Sequence, residues 1–163
     1  MPRLAEFPSG GSVFLDANTL VYHFVNVHPS CTYTLHRSEI GDITALTSVP
    51  VVAETRHRLM VLEARERFSL SPRKVLAYLK RHPEQVKVLR ACVEAVESLS
   101  LLRIKVVSPS LDTVLASQRI GSEYGLLTND ALLIAVMREH HLTHLASNDT
   151  DFLPVPDITL WRP

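Results

Sequence analysis

Val13-Phe14-Leu15-Asp16-Ala17-Asn18-Thr19-Leu20 is the stretch whose reading settles the fold class. Residues 12–15 form a short apolar run, read as a first strand, and the run stops at the carboxylate of Asp16. Residues 19–25 then read as a helix. A strand that hands over to a helix at an acidic residue opens a βα unit, and the rest of the chain repeats that alternation.

Outward from there, residues 30–40 read as a helix and residues 42–47 as a weakly alternating second strand. From Val49 the pattern turns helical. Val52, Thr55, Leu59 and Leu62 recur every three or four residues and make one apolar stripe. Ser71-Pro72 is a helix start, with Pro at the first helical position and Val75, Leu76 and Leu79 inside. His82-Pro83 breaks the pattern, and one continuous helix is expected over residues 84–100, with Val86, Leu89, Val93, Val96 and Leu99 as its stripe.

Residues 103–107 read as a strand closed by Ser108-Pro109. Ser110 is placed to cap a helix running to Tyr124, where Gly125 supplies the stop. Residues 128–141 form a strongly apolar helix. Short strands follow at residues 144–147 and 158–161, with Trp161 covering a sheet edge. The expectation is one α/β domain over residues 1–163, with a mainly parallel sheet and a helical insert between residues 49 and 100.

The 163 residues are 46% hydrophobic and carry 17 basic against 17 acidic side chains, which excludes a mainly disordered chain. No apolar run approaches the roughly 18 residues of a membrane span, since Asp130 interrupts even residues 128–137. The N-terminus has no basic segment followed by a long apolar stretch, so a cytoplasmic location is expected. Cys31 and Cys92 make no disulfide framework and match no zinc spacing. Zero net charge hides an uneven distribution: residues 56–90 carry ten basic groups against three acids, a net +7. The segments on either side, 1–55 and 108–163, are net −3 and −4. Acids that hold cations beside a basic arm that holds phosphates would suit a metal-dependent enzyme acting on a polyanion; a solvated helical surface is the alternative.

In an open parallel sheet, ligands bind at the carboxyl ends of the strands. Asp16 falls at such an end, and Asp149 and Asp151 follow residues 144–147 in the same way. Asp130 projects between Leu133, Ile134 and Met137, in the middle of an apolar helical face, where a carboxylate needs a partner or a cation. Capping of its helix by Thr128, Asn129 or Asp130 itself is the alternative. Glu54 lies roughly 100° from the Val52–Leu62 stripe by helical geometry, so the residues alone leave it either a site acid or an exposed glutamate. Several acids on one crevice point to Mg²⁺ or Mn²⁺, because hard cations take oxygen ligands.

Taken together, these blocks resemble the PIN-domain nuclease family, and within it the VapC-type ribonuclease toxins. Residues 13–20 are similar to the family's opening strand and Asp-x-Asn signature. Asn129-Asp130-Ala131-Leu132-Leu133-Ile134-Ala135 is similar to its Asp-Ala-Leu-Ile-Ala helix start. Leu145-Ala146-Ser147-Asn148-Asp149-Thr150-Asp151-Phe152 resembles its late strand and Asp-x-Asp-Phe, and Val49-Pro50-Val51-Val52-Ala53-Glu54 is a looser match carrying the family's glutamate. The blocks run in the family's order from residue 13 to 161.

The resemblance implies a three-layer sandwich around a parallel sheet and an acidic quartet that binds Mg²⁺ or Mn²⁺ and hydrolyses RNA. Carried over by position, the acids are Asp16, Glu54, Asp130 and Asp149, with Asp151 as neighbour or substitute. Asn18, Thr128 and Ser147 fall where the family places small polar groups. Arg56 or Arg58 is placed to steady the RNA backbone. A homodimer and an antitoxin partner are implied for a toxin. Residues 65–102 form a longer helical insert than compact members need, which leaves RNA processing or quality control as the alternative role. A non-catalytic binding module would be expected to lose one or more acids, and all are present.

Two rivals fit less well. Asp16-Ala17-Asn18-Thr19 is also similar to the haloacid-dehalogenase phosphatases, which need a second acid at Asn18 and a later lysine, and no lysine lies beyond Lys105. His140, His141 and His144 invite a zinc reading, but histidines at a helix end also serve its last carbonyls.

Overall fold

The computed structural model describes residues 1–163. Five strands, β1 (Ser12–Leu15), β2 (Thr44–Ser48), β3 (Lys105–Val107), β4 (His144–Ala146) and β5 (Thr159–Trp161), form one sheet in the order β3-β2-β1-β4-β5. Every pairing is parallel, so the sheet is wholly rather than mainly so. Parallel strands need crossovers, and helices supply them: α1 (Ala17–Phe24), α2 (Pro29–Glu39), α3 (Val49–Arg67), α4 (Val75–Arg81), α5 (Pro83–Val86), α6 (Ala91–Glu97), α7 (Leu111–Tyr124) and α8 (Thr128–Glu139). The result is a three-layer α/β sandwich. Val13, Phe14 and Leu15 are all buried, which is why β1 reads as an unbroken apolar run and not as an alternation.

The chain lays down β1, β2 and β3 outward to one side, then returns to place β4 on the other side of β1. The crossovers diverge between β1 and β4, and that opening is where an α/β sheet of this kind makes a binding crevice. Trp161 stands on the edge strand β5, with its ring edge-on to Phe7 at 5.0 Å and its Nε1–H donating to His144 Nδ1 at 3.1 Å.

Helix boundaries follow local chemistry where the signals are strong. Ser110 accepts from the Thr113 amide, Thr113 Oγ1 reciprocates to the Ser110 amide, and α7 ends on Gly125 at φ 72°, a conformation that favours glycine. The continuous helix expected over residues 84–100 is a correction. It divides into α5, α6 and a 3-10 turn at Ser98–Ser100. The break has a tertiary cause: Glu63 of α3 accepts from the Arg90 and Cys92 amides at 2.8 and 3.1 Å and starts a fresh helix there. The buried positions become Leu89, Cys92, Ala95 and Leu99, while Val86 is exposed. Leu89, Cys92 and Ala95 join Leu59, Ala64, Val75 and Leu79 in a small core separate from the main one under the sheet.

Candidate active site

Asp16 follows β1 directly and caps α1, its Oδ1 accepting the Ala17 amide at 2.6 Å. Its Oδ2 accepts from Asn18 Nδ2 at 2.6 Å and from Ser147 Oγ at 2.7 Å. Ser147 is fully buried just past β4, so this bond joins the ends of the two strands that flank the opening. Thr19 Oγ1 adds a second tie, donating to the Ala146 carbonyl at 2.8 Å. Burial pushes the Asp16 carboxyl pKa up; the bonds from Ser147 and Ala17 oppose that, Glu54's charge adds to it, and the net direction is upward.

Glu54 comes from the second turn of α3, which leaves the carboxyl end of β2 without a loop. Asp130 comes from the first turn of α8. With Asp16 they line one narrow slot, walled by Ser48, Pro50, Val51, Asn129, Leu132 and Leu133. Its volume is about 10 Å³, the room one water-sized body needs. The capping alternative for Asp130 falls away, since Leu127 is the cap residue of α8 and no side chain caps it. Burial is the main cause that lifts the Asp130 carboxyl to about 6, followed by the negative charges of Asp149, Asp16, Glu54 and Asp151 in that order. Five carboxylates thus share one field.

Asp149 lies outside the slot's walls. It caps the 3-10 turn Thr150–Phe152, its Oδ1 accepting the Asp151 amide at 2.9 Å, while its own amide donates to Ser147 Oγ at 3.0 Å. Asp151 is exposed. Asn18 sits at the centre of the Asp16–Ser147 bonds. Thr128 is exposed and borders a depression with Ser117, Gly121 and Ala131 that none of the acids lines. Arg58 Nη2 pairs with Glu54 Oε1 at 2.6 Å, whereas Arg56 is exposed and its charge bears on the Cys92 thiol of α6. As the side chains stand, no three Asp, Glu, His or Cys groups are gathered closely enough to ligate one ion. Glu54 is turned to Arg58, and Asp16 is committed to its hydrogen-bond donors.

The largest cavity, about 810 Å³, lies between α7 and α8 and holds none of these acids. Charge convergence, not cavity size, therefore marks the site. Sequence reasoning missed Asn129 in the slot wall and the group around Asn148, where Tyr22 and Arg162 meet. The only signal for Asn148 was its place between Ser147 and Asp149; Tyr22 and Arg162 carried none.

Comparison with known proteins bears on the fold and the family. A curated relative, Ribonuclease VapC6 of Methanocaldococcus jannaschii, is 26% identical over 153 residues, spanning 93% of this chain and 97% of its own. Among solved structures, VapBC2 from Rickettsia felis bound to a DNA fragment from their promoter superposes with a TM-score of 0.57 at 18% identity, covering 93% of this chain and 98% of that one. VapC20 of Mycobacterium tuberculosis, described as a sarcin-ricin loop cleaving toxin, gives 0.57 at 18%, covering 88% and 95%. These likenesses speak for the fold. The model of the PIN domain matches residues 13–157, from the strand before Asp16 to the loop beyond Asp151, and on that match the chain belongs to the PIN domain family.

Proposed function

We propose that the protein is a divalent-metal-dependent endoribonuclease and the toxin of a VapBC-type pair. The observation that carries the reading is that Asp16, Glu54 and Asp130 line one narrow slot beyond the carboxyl ends of β1 and β2, with Asp149 the strongest outside charge on Asp130. The donor set is all oxygen, which fits Mg²⁺ or Mn²⁺ and not a thiolate-seeking metal. Asp16, Glu54, Asp130 and Asp149 would hold the ion, with Asp151 at the margin. When bound, such an ion supplies Lewis acidity and lowers the pKa of water.

The chain's own residues do the rest. Ser147 and Asn18 orient Asp16 through Oδ2. Arg58, when it releases Glu54, is the cation nearest the slot for a phosphate of the strand, and Arg56 reaches the backbone farther out. In the reaction the oxygen of water bonds to phosphorus, the P–O3′ bond breaks, and the 3′ oxygen leaves with a proton. The products carry a 5′-phosphate and a 3′-hydroxyl.

Residues 1–163 act in this reading as one PIN-like domain, with 65–102 as a basic helical insert along the RNA. The bridge between Arg3 and Arg162 supports one unit by tying the two ends together. An antitoxin partner is supported by the relatives' descriptions, among them a toxin–antitoxin complex from Klebsiella pneumoniae with a TM-score of 0.55 at 18% identity. Exposed Leu111 and Leu115 on α7 are apolar surface for a partner or a second copy. No helix is long and apolar enough to cross a membrane, which suits a cytoplasmic enzyme.

The test is cleavage of a mixed RNA pool with Mn²⁺ or Mg²⁺ by wild type, Asp16→Asn and Asp130→Asn, with EDTA as control. Metal-dependent cleavage by wild type alone, leaving 5′-phosphates, is expected. A 2′,3′-cyclic phosphate product would contradict attack by water. No cleavage together with no metal uptake would make the protein a binding module.

A further inference from the structure

Asn148 carries three polar groups that are engaged at once by two separate segments, α1 and the residues just past β5. Its backbone N–H donates to Asn18 Oδ1 at 3.1 Å. Its Nδ2 donates to the Tyr22 hydroxyl of α1 at 3.3 Å, and its Oδ1 accepts from Arg162 Nη2, just past β5, at 2.8 Å. Asn18 passes the connection on, because its Nδ2 donates to Ser147 Oγ at 2.9 Å as well as to Asp16. A continuous path of hydrogen bonds thus runs from Arg162 through Asn148 and Asn18 to the Asp16 carboxylate. The Asn148 backbone leads straight into Asp149.

The segment needs such a device. The Ser147 amide makes the last bond toward β5, to the Trp161 carbonyl at 3.1 Å, and past it the backbone has no ladder to hold it. Asp149 must then take its position from side chains. An amide is the right group at 148, because it offers a donor to Tyr22 and an acceptor to Arg162 without adding another negative charge. Arg162 spends its cation on this neutral amide and forms no ion pair with a carboxylate, which separates it from the structural pairs Arg37–Asp42 and Arg138–Asp157.

We propose that Arg162 and Asn148 are positioning residues of the acidic site: they pin the segment that bears Asp149 and, through Asn18, the carboxylate of Asp16. The inference rests on the metal-site reading above, and its test separates the two. Mn²⁺ affinity is measured without RNA, by water-proton relaxation, for wild type, Arg162→Gln, Arg162→Lys and Asn148→Leu. The kcat and KM for RNA cleavage follow on the same proteins, with thermal melting as the control for folding.

Arg162→Gln and Asn148→Leu are each expected to weaken Mn²⁺ on the order of 10-fold and to lower kcat with KM unchanged. Arg162→Lys recovers part of the loss, since an ammonium can still donate to Asn148 Oδ1. The double variant is no worse than the more damaging single one, because both act through one path. Should Asn148→Leu fail to fold, Arg162→Gln and its lysine counterpart carry the test. Unchanged Mn²⁺ affinity in Arg162→Gln overturns the inference while leaving the metal site standing. A raised KM with intact kcat also overturns it, making Arg162 a direct phosphate contact. Absence of Mn²⁺ uptake by wild type removes the metal-site reading itself.

Discussion

Two side chains show how a single residue can be expensive in isolation and stable in context. Asp130 was legible in the sequence because its helical projection put a carboxylate on an apolar face, an arrangement that is costly unless a charge compensates it. Glu54 was open on the residues alone, either a site acid or an exposed glutamate, and only the family resemblance singled it out; α3 leaving β2 without a loop brings it to the slot's wall, where it pairs with Arg58. With its carboxyl lifted to about 6 from 3.8, metal-free Asp130 binds its proton more tightly folded than unfolded. Stability therefore falls as pH rises across that interval. In EDTA at pH 8, Asp130→Asn is expected to melt above wild type by roughly 2–4 °C, the shift for about 1 kcal/mol in a domain this size. Mn²⁺ should raise the melting temperature of wild type and leave that of the variant where it is. Equal Mn²⁺ shifts in both would remove Asp130 from the ligand set.

Arg37 is the structural counterpart. It is 5% exposed, and its guanidinium donates to Asp42 and to the Phe7 carbonyl, both at 2.5 Å, and to Ser9 at 3.1 Å. These bonds hold the loop that delivers the chain into β1. Arg37→Leu leaves the Phe7 carbonyl without its donor and Asp42 without its cation. A loss of about 3 kcal/mol in urea unfolding is expected, with no change in Mn²⁺ affinity of the folded protein.

Among the elements, the boundaries carried by local chemistry were readable and those carried by distant residues were not. Ser110 and Gly125 bracket α7 as their types predict, because a cap and a left-handed stop act on their own turn. The start of α6 depends on Glu63, which lies 27 residues before the Arg90 amide it accepts from, so no window over residues 84–100 contains the cause. Burial works against the Glu63 carboxylate, but the amides of Cys92, Arg90 and Ala91 together outweigh it and hold its pKa below 4.5. That stabilisation is fully present above the unfolded value and is lost as pH falls through the lower folded one. Glu63→Gln should cost about 1 kcal/mol at pH 7 in a denaturant titration, and the gap from wild type should close toward pH 3. A gap that is constant with pH would assign the effect to packing.

For the whole molecule, the ten cations of residues 56–90 are all exposed, along α3, α4 and the segment into α6. Each phosphate they neutralise adds about −0.7 to the salt slope of single-stranded RNA binding. Replacing Arg73, Lys74, Lys80 and Arg81 together by Gln should weaken RNA binding uniformly across sequences and flatten the slope by roughly 2–3 if all four engage. An unchanged slope would return the arm to a solvated surface. Melting temperature should hold, since none of the four is buried.

The sequence by itself determined the α/β class, the five strands and the presence of acids at strand ends, because periodicity and strand-end position are local properties. The tertiary structure decided what those acids face. Strand order places the ends of β1 and β4 side by side, and only then do Asp16 and Ser147 meet across 131 residues of chain. It also decided that α6 begins at a glutamate from α3 and that Asn148 is held by α1 and the segment beyond β5. Hydrogen bonds and charges act over a few ångströms of space whatever the distance along the chain, so their partners are set by the fold that brings them together.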